Sequence, residues 1–183
     1  MIRLFIAITF NNETRSRLLA LRDELRGKSE RGNFSAPENL HLTLVFLGER
    51  NGRKVVSAKS VVSAVSFEPF DITVDCVGCF KHDDGDIWWA GLRENKPLID
   101  LQRGLTDLLN DHNYRTTFTL EKRKFNPHIT FGRDVVTDAK PWNIEPFGET
   151  VGRIDLMKSE IIGGNLTYNT IYYYKKPEWE PLK

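Results

Sequence analysis

The chain has 183 residues, of which 40% are hydrophobic and 28% charged, and its formal net charge at pH 7 is +1. This length fits one ordinary domain or two small lobes that share a core. The composition excludes a disordered, collagen-like or coiled-coil protein. The near-zero charge excludes a protein that coats duplex nucleic acid through its overall charge, although it is compatible with a local basic groove.

The first nine residues form a short apolar run without a cleavage-site pattern, which predicts a strand and not a signal peptide. No apolar run approaches the ~18 residues of a transmembrane helix, so we expect no membrane association. The only two cysteines, Cys76 and Cys79, provide no disulfide framework. We therefore expect a cytoplasmic protein, and we expect it to be a monomer.

Three apolar stripes at helical spacing follow the first strand. Leu18, Leu21 and Leu25 form the first, after Asn11-Asn12-Glu13, where an asparagine N-cap precedes an acidic first turn. The other two stripes consist of Val55, Ala58, Val62 and Val65, and of Leu98, Leu101, Leu105 and Leu108. Strand-like runs cover residues 40–47, 71–77, 86–92, 127–131, 151–162 and 167–174, while residues 31–33 and 81–85 predict exposed loops. Because strands and helices do not alternate regularly, this order favours an α+β fold with largely antiparallel sheets.

Two of the four histidines lie in the same tetrapeptide pattern, His41-Leu42-Thr43-Leu44 and His128-Ile129-Thr130-Phe131. Both copies fall in strand-like segments, where residues i and i+2 point to the same face. Each strand therefore presents an imidazole beside a hydroxyl. The copies are about half the chain apart, so two lobes that each contribute one strand would bring the four side chains to a shared groove.

This arrangement suits chemistry on a phosphodiester. Imidazole titrates near neutrality, so one histidine can donate a proton to a leaving oxygen while the other accepts a proton from water. The hydroxyls of Thr43 and Thr130 can donate hydrogen bonds to phosphate oxygens, and Arg133 can add a charge-assisted contact. The pattern does not say which histidine is the acid. It also lacks the spacing of a zinc site, so we expect no metal and no other cofactor.

The residues around both motifs resemble the bacterial and archaeal RNA 2′,3′-cyclic phosphodiesterases, historically called 2′-5′ RNA ligases, of the two-histidine (2H) phosphoesterase superfamily. The similarity extends nearly end to end and is carried by Arg3–Ile8, Glu38–Glu49, Trp89–Leu92, Arg123–Arg133, Leu156–Glu160, Gly164 and Tyr168. The resemblance implies that residues 1–183 form a single bilobal domain. Its two pseudo-symmetric lobes of mainly antiparallel sheet, with outer helices, would enclose a central groove.

The resemblance also implies the activity: hydrolysis of an RNA-terminal 2′,3′-cyclic phosphate to a 2′-phosphate. It assigns His41 as the proton donor to the departing 3′-oxygen and His128 as the proton acceptor that activates water. The expected partner is RNA with such an end or a related nucleotide. Alternatives are 2′-5′ joining of RNA ends, cleavage of a small cyclic nucleotide or a 2′-5′ oligonucleotide, and a module that binds RNA ends or nucleotides without catalysis.

Overall fold

A computed structural model describes residues 2–111, 118–120, 124–177 and 179. Within them the chain forms nine strands, three α-helices and a short 3₁₀ turn at Pro37–Asn39. In chain order the elements are β1 (Ile2–Ile8), α1 (Asn12–Gly27), β2 (Ser29–Phe34), β3 (Leu42–Arg50), α2 (Gly52–Ala64), β4 (Phe70–Phe80), β5 (Asp86–Leu92), α3 (Lys96–Asn110), β6 (His128–Thr137), β7 (Trp142–Val151), β8 (Arg153–Ile162) and β9 (Asn165–Lys175).

The strands form two antiparallel sheets, which confirms the predicted α+β class and the two-lobe arrangement. The four-stranded sheet has the order β3-β1-β8-β9, and the five-stranded sheet has the order β2-β6-β5-β4-β7. Helix α1 packs on the five-stranded sheet, α2 packs on the four-stranded sheet, and α3 contacts β3, β4 and α2. Each sheet therefore contains one of the two histidine motifs, in β3 and in β6.

Strand β1 is buried on both faces, so the four-stranded sheet packs against apolar side chains on each side. Leu4, Ile6 and Ile8 belong to the main hydrophobic core. The alternate residues, Phe5 and Ala7, join Met157 and Tyr168 in a second small cluster. Because successive side chains of a strand point to opposite faces, this second cluster lies on the face away from the main core.

The three predicted helices are confirmed, and each begins at an asparagine cap. The side chains of Asn11, Asn51 and Asn95 accept hydrogen bonds from backbone N–H groups of the first turn of α1, α2 and α3. Each cap satisfies a donor that has no partner within the helix. None of the helices in the described part of the chain has the length and apolarity that crossing a bilayer requires.

Two sequence predictions about strands are wrong. Residues 31–33, expected as an exposed loop, lie within β2, which is an edge strand paired only with β6. No strand was expected over residues 142–150, which form most of β7, whereas the strand expected over residues 151–162 is β8 and begins two residues later, at Arg153. Gly152 separates β7 from β8, and a Cβ there would lie 2.0 Å from the side chain of Trp179. The loop predicted over residues 81–85 is confirmed.

Candidate active site

His41 lies between the 3₁₀ turn and β3, and its ring is held from both nitrogens. Nδ1 is 2.7 Å from the carbonyl oxygen of Asn39, and Nε2 is 3.0 Å from Oγ1 of Thr43. A carbonyl oxygen only accepts hydrogen bonds, so Nδ1 carries the proton in the neutral ring. The hydroxyl of Thr43 then donates to the lone pair of Nε2. The predicted pairing of an imidazole with the hydroxyl two residues later is confirmed in this motif.

His128 is the first residue of β6 and repeats the first of these contacts. Its Nδ1 donates to the carbonyl oxygen of Asn126 at 2.8 Å, again two residues before the histidine. The same tautomer results, with Nε2 as the basic nitrogen. Thr130 follows two residues later in β6 and is half-buried, whereas Arg133 is exposed.

Aromatic side chains pack against both imidazoles. The His41 ring centroid is 4.8 Å from that of Phe5 and 5.0 Å from that of Tyr168. The His128 ring centroid is 5.2 Å from that of Phe80 and 6.2 Å from that of Trp89. Each ring is thus restrained by two neighbours in addition to its hydrogen bond.

Two glycines make room for the indole of Trp89. A Cβ at Gly78 would lie 2.3 Å from Cη2 of Trp89, and a Cβ at Gly91 would lie 2.9 Å from its Cζ3. Trp88, the neighbouring residue, is completely buried in the main core. Trp88 and Trp89 thus lie on opposite faces of β5, one in the main core and the other beside His128.

Burial and positive charge lower the pKa of both histidines below the ordinary value of 6.5. For His41, burial has the largest effect, the hydrogen bond to the Asn39 carbonyl opposes it, and the charges of Arg133 and His128 lower the pKa further. For His128, burial again dominates, the hydrogen bond to Asn126 opposes it, and Arg133 lowers the pKa. Strand β3 contacts β6, so the two motifs are neighbours. The effect of Arg133 on both pKa values fits its position in β6, five residues after His128.

A cavity of about 680 Å³ adjoins this site and is bordered by Thr43 and His128. The rest of its wall is formed by residues of β3, β4 and α3, by Leu120 and by residues 124–126. They are Leu44, Val45, Phe46, Phe80, Ile99, Gln102, Arg103, Thr106, Leu120, Lys124, Phe125 and Asn126. The α3 residues among them were not expected from the sequence. The polar face of an amphipathic helix gives no signal that distinguishes a cavity wall from a solvent-exposed surface.

The site does not include His82 or the two cysteines. His82 is exposed in the loop after β4, and Cys76 and Cys79 are free thiols whose pKa is raised by burial. His112, Lys122 and Arg123 lie outside the described residues. In the described segments, no group of three or more His, Cys, Asp or Glu side chains is placed to hold a metal ion.

Comparison with known proteins gives consistent matches. The family model "LigT like Phosphoesterase" matches residues 8–89. An RNA 2′,3′-cyclic phosphodiesterase of Archaeoglobus fulgidus is 30% identical over 167 residues, which are 87% of this chain and 92% of that protein. The protein of the same name from Escherichia coli is 32% identical over 133 residues, which are 72% of each chain.

The fold also matches a solved structure. The crystal structure of E. coli LigT complexed with 3′-AMP superimposes with a TM-score of 0.80 at 26% sequence identity. The match covers 97% of this chain and 99% of the other.

Proposed function

The chain belongs to the LigT-like phosphoesterase family, and we propose that it hydrolyses the 2′,3′-cyclic phosphate at the end of an RNA, with His41 and His128 as the proton-transfer groups. The names of its relatives support the reaction class, which makes the chain a hydrolase of phosphodiester bonds. The observation that carries the site assignment is the repeated geometry of the two imidazoles, each with its Nδ1–H donated to the carbonyl two residues earlier. Each Nε2 is left as the nitrogen that can exchange a proton with a substrate.

In this reaction a water oxygen forms a bond to phosphorus while the bond from phosphorus to the 3′-oxygen breaks. We assign His128 to take the proton of the water and His41 to give a proton to the departing 3′-oxygen. This assignment of roles rests on the family resemblance. Water and leaving group must lie in line on opposite sides of phosphorus, which is the geometry that two histidines on two sheets can serve. The product is a 2′-phosphate with a free 3′-hydroxyl.

The low pKa of His41 fits this role only in the presence of substrate. Burial and the charge of Arg133 favour the neutral ring in the free enzyme. An anionic phosphate beside the ring favours the imidazolium, so substrate binding raises the pKa of the acid where it is needed. In the imidazolium, Nε2–H is the donor that faces the leaving oxygen.

We assign Thr43, Thr130 and Arg133 to the phosphate oxygens. The hydroxyl of Thr43 already lies 3.0 Å from Nε2 of His41, so both groups can reach one phosphate. The adjoining cavity, with the rings of Phe46, Phe80 and Phe125 and the cations Arg103 and Lys124, suits a nucleoside and its backbone phosphate. The E. coli relative was solved as a complex with 3′-AMP, which supports a nucleotide as the class of ligand.

One chain carries both histidines, so we propose that residues 1–183 act as one bilobal domain and that a monomer is sufficient. Size-exclusion chromatography with light scattering, combined with an activity assay of the same fractions, tests this proposal. Activity confined to an oligomer would contradict it.

The proposed activity is tested with an RNA oligonucleotide that ends in a 2′,3′-cyclic phosphate, incubated with the protein in excess EDTA and without ATP. The same oligonucleotide with a 3′-phosphate end serves as the matched control. We expect conversion of the cyclic end to a phosphomonoester, because the proposed chemistry uses only side-chain protons and hydrogen bonds. Strict dependence on an added divalent cation would contradict the mechanism.

A panel of substrates separates the alternatives in the same experiment. A product longer than the substrate indicates 2′-5′ joining of ends. Turnover of cyclic mononucleotides or 2′-5′ oligonucleotides alone indicates a small-molecule enzyme. Binding of the cyclic end without turnover indicates a binding module.

A further inference from the structure

Asn39 connects the first histidine motif to the far edge of the four-stranded sheet. It is the last residue of the 3₁₀ turn, and it is a polar residue that is only 8% exposed. Its side-chain Nδ2 donates to the carbonyl oxygen of Leu166 at 2.8 Å, and its Oδ1 accepts from the backbone N–H of Tyr168 at 3.1 Å. Both bonds reach β9, an edge strand of the sheet.

These two bonds have the pattern of a strand pairing. In an antiparallel ladder, the backbone groups of residues i and i+2 face the same side of the strand. The bonds of the Leu166 carbonyl and the Tyr168 N–H to Asn39 show that these groups face the free edge of β9. The amide of Asn39 satisfies one acceptor and one donor there, as a neighbouring peptide group would do.

The backbone of the same residue holds His41. The carbonyl oxygen of Asn39 accepts the Nδ1–H of His41 at 2.7 Å. In addition, Tyr168, whose N–H is bonded to Asn39, packs its ring at a centroid distance of 5.0 Å against His41 and 5.2 Å against Phe5. Asn39 therefore holds His41 in two ways. Its carbonyl accepts the Nδ1–H of the ring, and its side chain bonds the backbone of Tyr168, whose ring packs against His41.

We infer that Asn39 is a positioning residue for His41: by pairing with the edge of β9 it fixes the carbonyl that selects the Nδ1–H tautomer and turns Nε2 toward the substrate. In the second motif the corresponding residue, Asn126, is exposed, and its side chain has no such bond to another described residue. The kinetic consequence of this inference rests on the proposed function, whereas its effect on the tautomer does not.

The test is nitrogen NMR of the imidazoles in ¹⁵N-labelled protein above the pKa of both histidines. In the unaltered protein we expect His41 to show a protonated Nδ1 and an unprotonated Nε2. In Asn39→Ala the two His41 signals should move toward each other, which indicates mixed tautomers. His128 should not change, so it serves as an internal reference in the same spectrum.

Asn169→Ala is the matched control, because Asn169 also lies on β9 but its side chain donates to another side chain, Oε1 of Glu160, at 2.7 Å. It should leave the His41 signals in place. In hydrolysis assays, Asn39→Ala should lower kcat by about 10- to 100-fold with little change in KM, because it misplaces a reacting group without touching substrate. A protein without hydrolytic activity but with an ordered His41 tautomer would contradict the proposed function and leave this inference standing.

Asn39→Asp covers the case in which Asn39→Ala does not fold. The aspartate has the same shape and still accepts from the N–H of Tyr168, but it cannot donate to Leu166 when ionised. It should also mix the His41 tautomers. An unchanged Nδ1–H tautomer of His41 in whichever of the two variants folds would overturn the inference.

Discussion

At the scale of single residues, the hydrogen-bond partner of Nδ1 in each imidazole is a backbone carbonyl oxygen and not a carboxylate. A carboxylate in that position would stabilise the imidazolium by charge and raise the pKa of histidine. The carbonyls of Asn39 and Asn126 select the same tautomer without that charge, while burial and Arg133 keep both pKa values low. Both rings are therefore mainly neutral in the free enzyme at neutral pH, and the phosphate of a bound substrate would raise the pKa of the ring that acts as the acid.

The first prediction concerns His41 and His128. Alanine at either position should lower turnover by about 10²–10⁴-fold, because general acid and general base catalysis each contribute on this order. Thr43→Ala and Thr130→Ala should have smaller effects, since each removes one donor to the phosphate and leaves the proton path. The control is His82→Ala, at an exposed loop residue. Steady-state kinetics measure the turnover of each variant, and circular dichroism shows that the variant is folded. Near-normal turnover of either histidine variant would exclude the paired mechanism.

The second prediction concerns pH. The limbs of kcat/KM report the pKa values of the free enzyme, and both histidine pKa values lie below 6.5. The bell-shaped profile should therefore have its optimum below pH 6.5. Arg133→Gln removes a positive charge that disfavours both imidazolium forms, so both limbs should move to higher pH.

Arg133→Lys is the matched control for this experiment. It keeps the charge and so keeps the limbs in place, but it loses the forked contact with phosphate and should lower kcat/KM. Limbs of Arg133→Gln that stay in place or move to lower pH would contradict the proximity of Arg133 to the two histidines.

At the scale of elements, β4 and β5 position the second histidine through close packing. Gly78 on β4 pairs with Trp89 on β5, and the indole of Trp89 occupies the space where a side chain would begin. The same indole packs against His128. Because Gly78 on β4 has no side chain, the indole of Trp89 on β5 can lie over it and beside the imidazole of His128 on β6.

The third prediction tests this packing. Gly78→Ala should cost about 1–3 kcal/mol in the free energy of unfolding, because its Cβ would overlap the indole. It should also lower turnover, by up to about 10²-fold, as Trp89 moves against His128. The control is Gly27→Ala at the end of α1, where nothing lies within 4 Å of the added Cβ. Denaturant titration and kinetics provide the readout, and a Gly78→Ala protein with unchanged stability would refute the packing argument.

The elements differ in how well the sequence predicts them. The three helices have local signals, an asparagine cap and an apolar stripe, and all three are predicted. Strand β2 is short and polar, and its strand conformation depends on pairing with β6, which is distant in sequence. Strand β7 contains Pro146 and Gly148, which weaken a strand signal, and it likewise depends on a distant partner, β4.

The candidate site divides in the same way. The histidine–threonine pairs are predicted from sequence because the period of two in a strand is a local property. The aromatic neighbours Phe5, Tyr168 and Phe80 are not, because the tertiary fold brings them from other strands. The pairing of Asn39 with β9 also joins residues distant in the chain, and no local pattern indicates it.

At the scale of the whole molecule, the chain places one motif on each of two sheets that share a core. The correspondence between the halves is not complete, since β3 is an edge strand whereas β6 is interior to its sheet. The histidine environments nevertheless match in tautomer and in aromatic packing. In the proposed mechanism, a substrate between the two motifs would meet two similar imidazoles, and its orientation would decide which one acts as the acid.

The most direct test of the account is phosphorus NMR of an RNA oligonucleotide with a 2′,3′-cyclic phosphate end during incubation with the protein. Chemical hydrolysis of the same oligonucleotide supplies standards for the 2′- and 3′-phosphomonoesters. We predict that the cyclic phosphate signal is replaced by that of the 2′-phosphomonoester, because His41 protonates the departing 3′-oxygen. A persistent cyclic signal would contradict the proposed hydrolysis, and a product that is mainly the 3′-phosphate would contradict the assigned roles of His41 and His128.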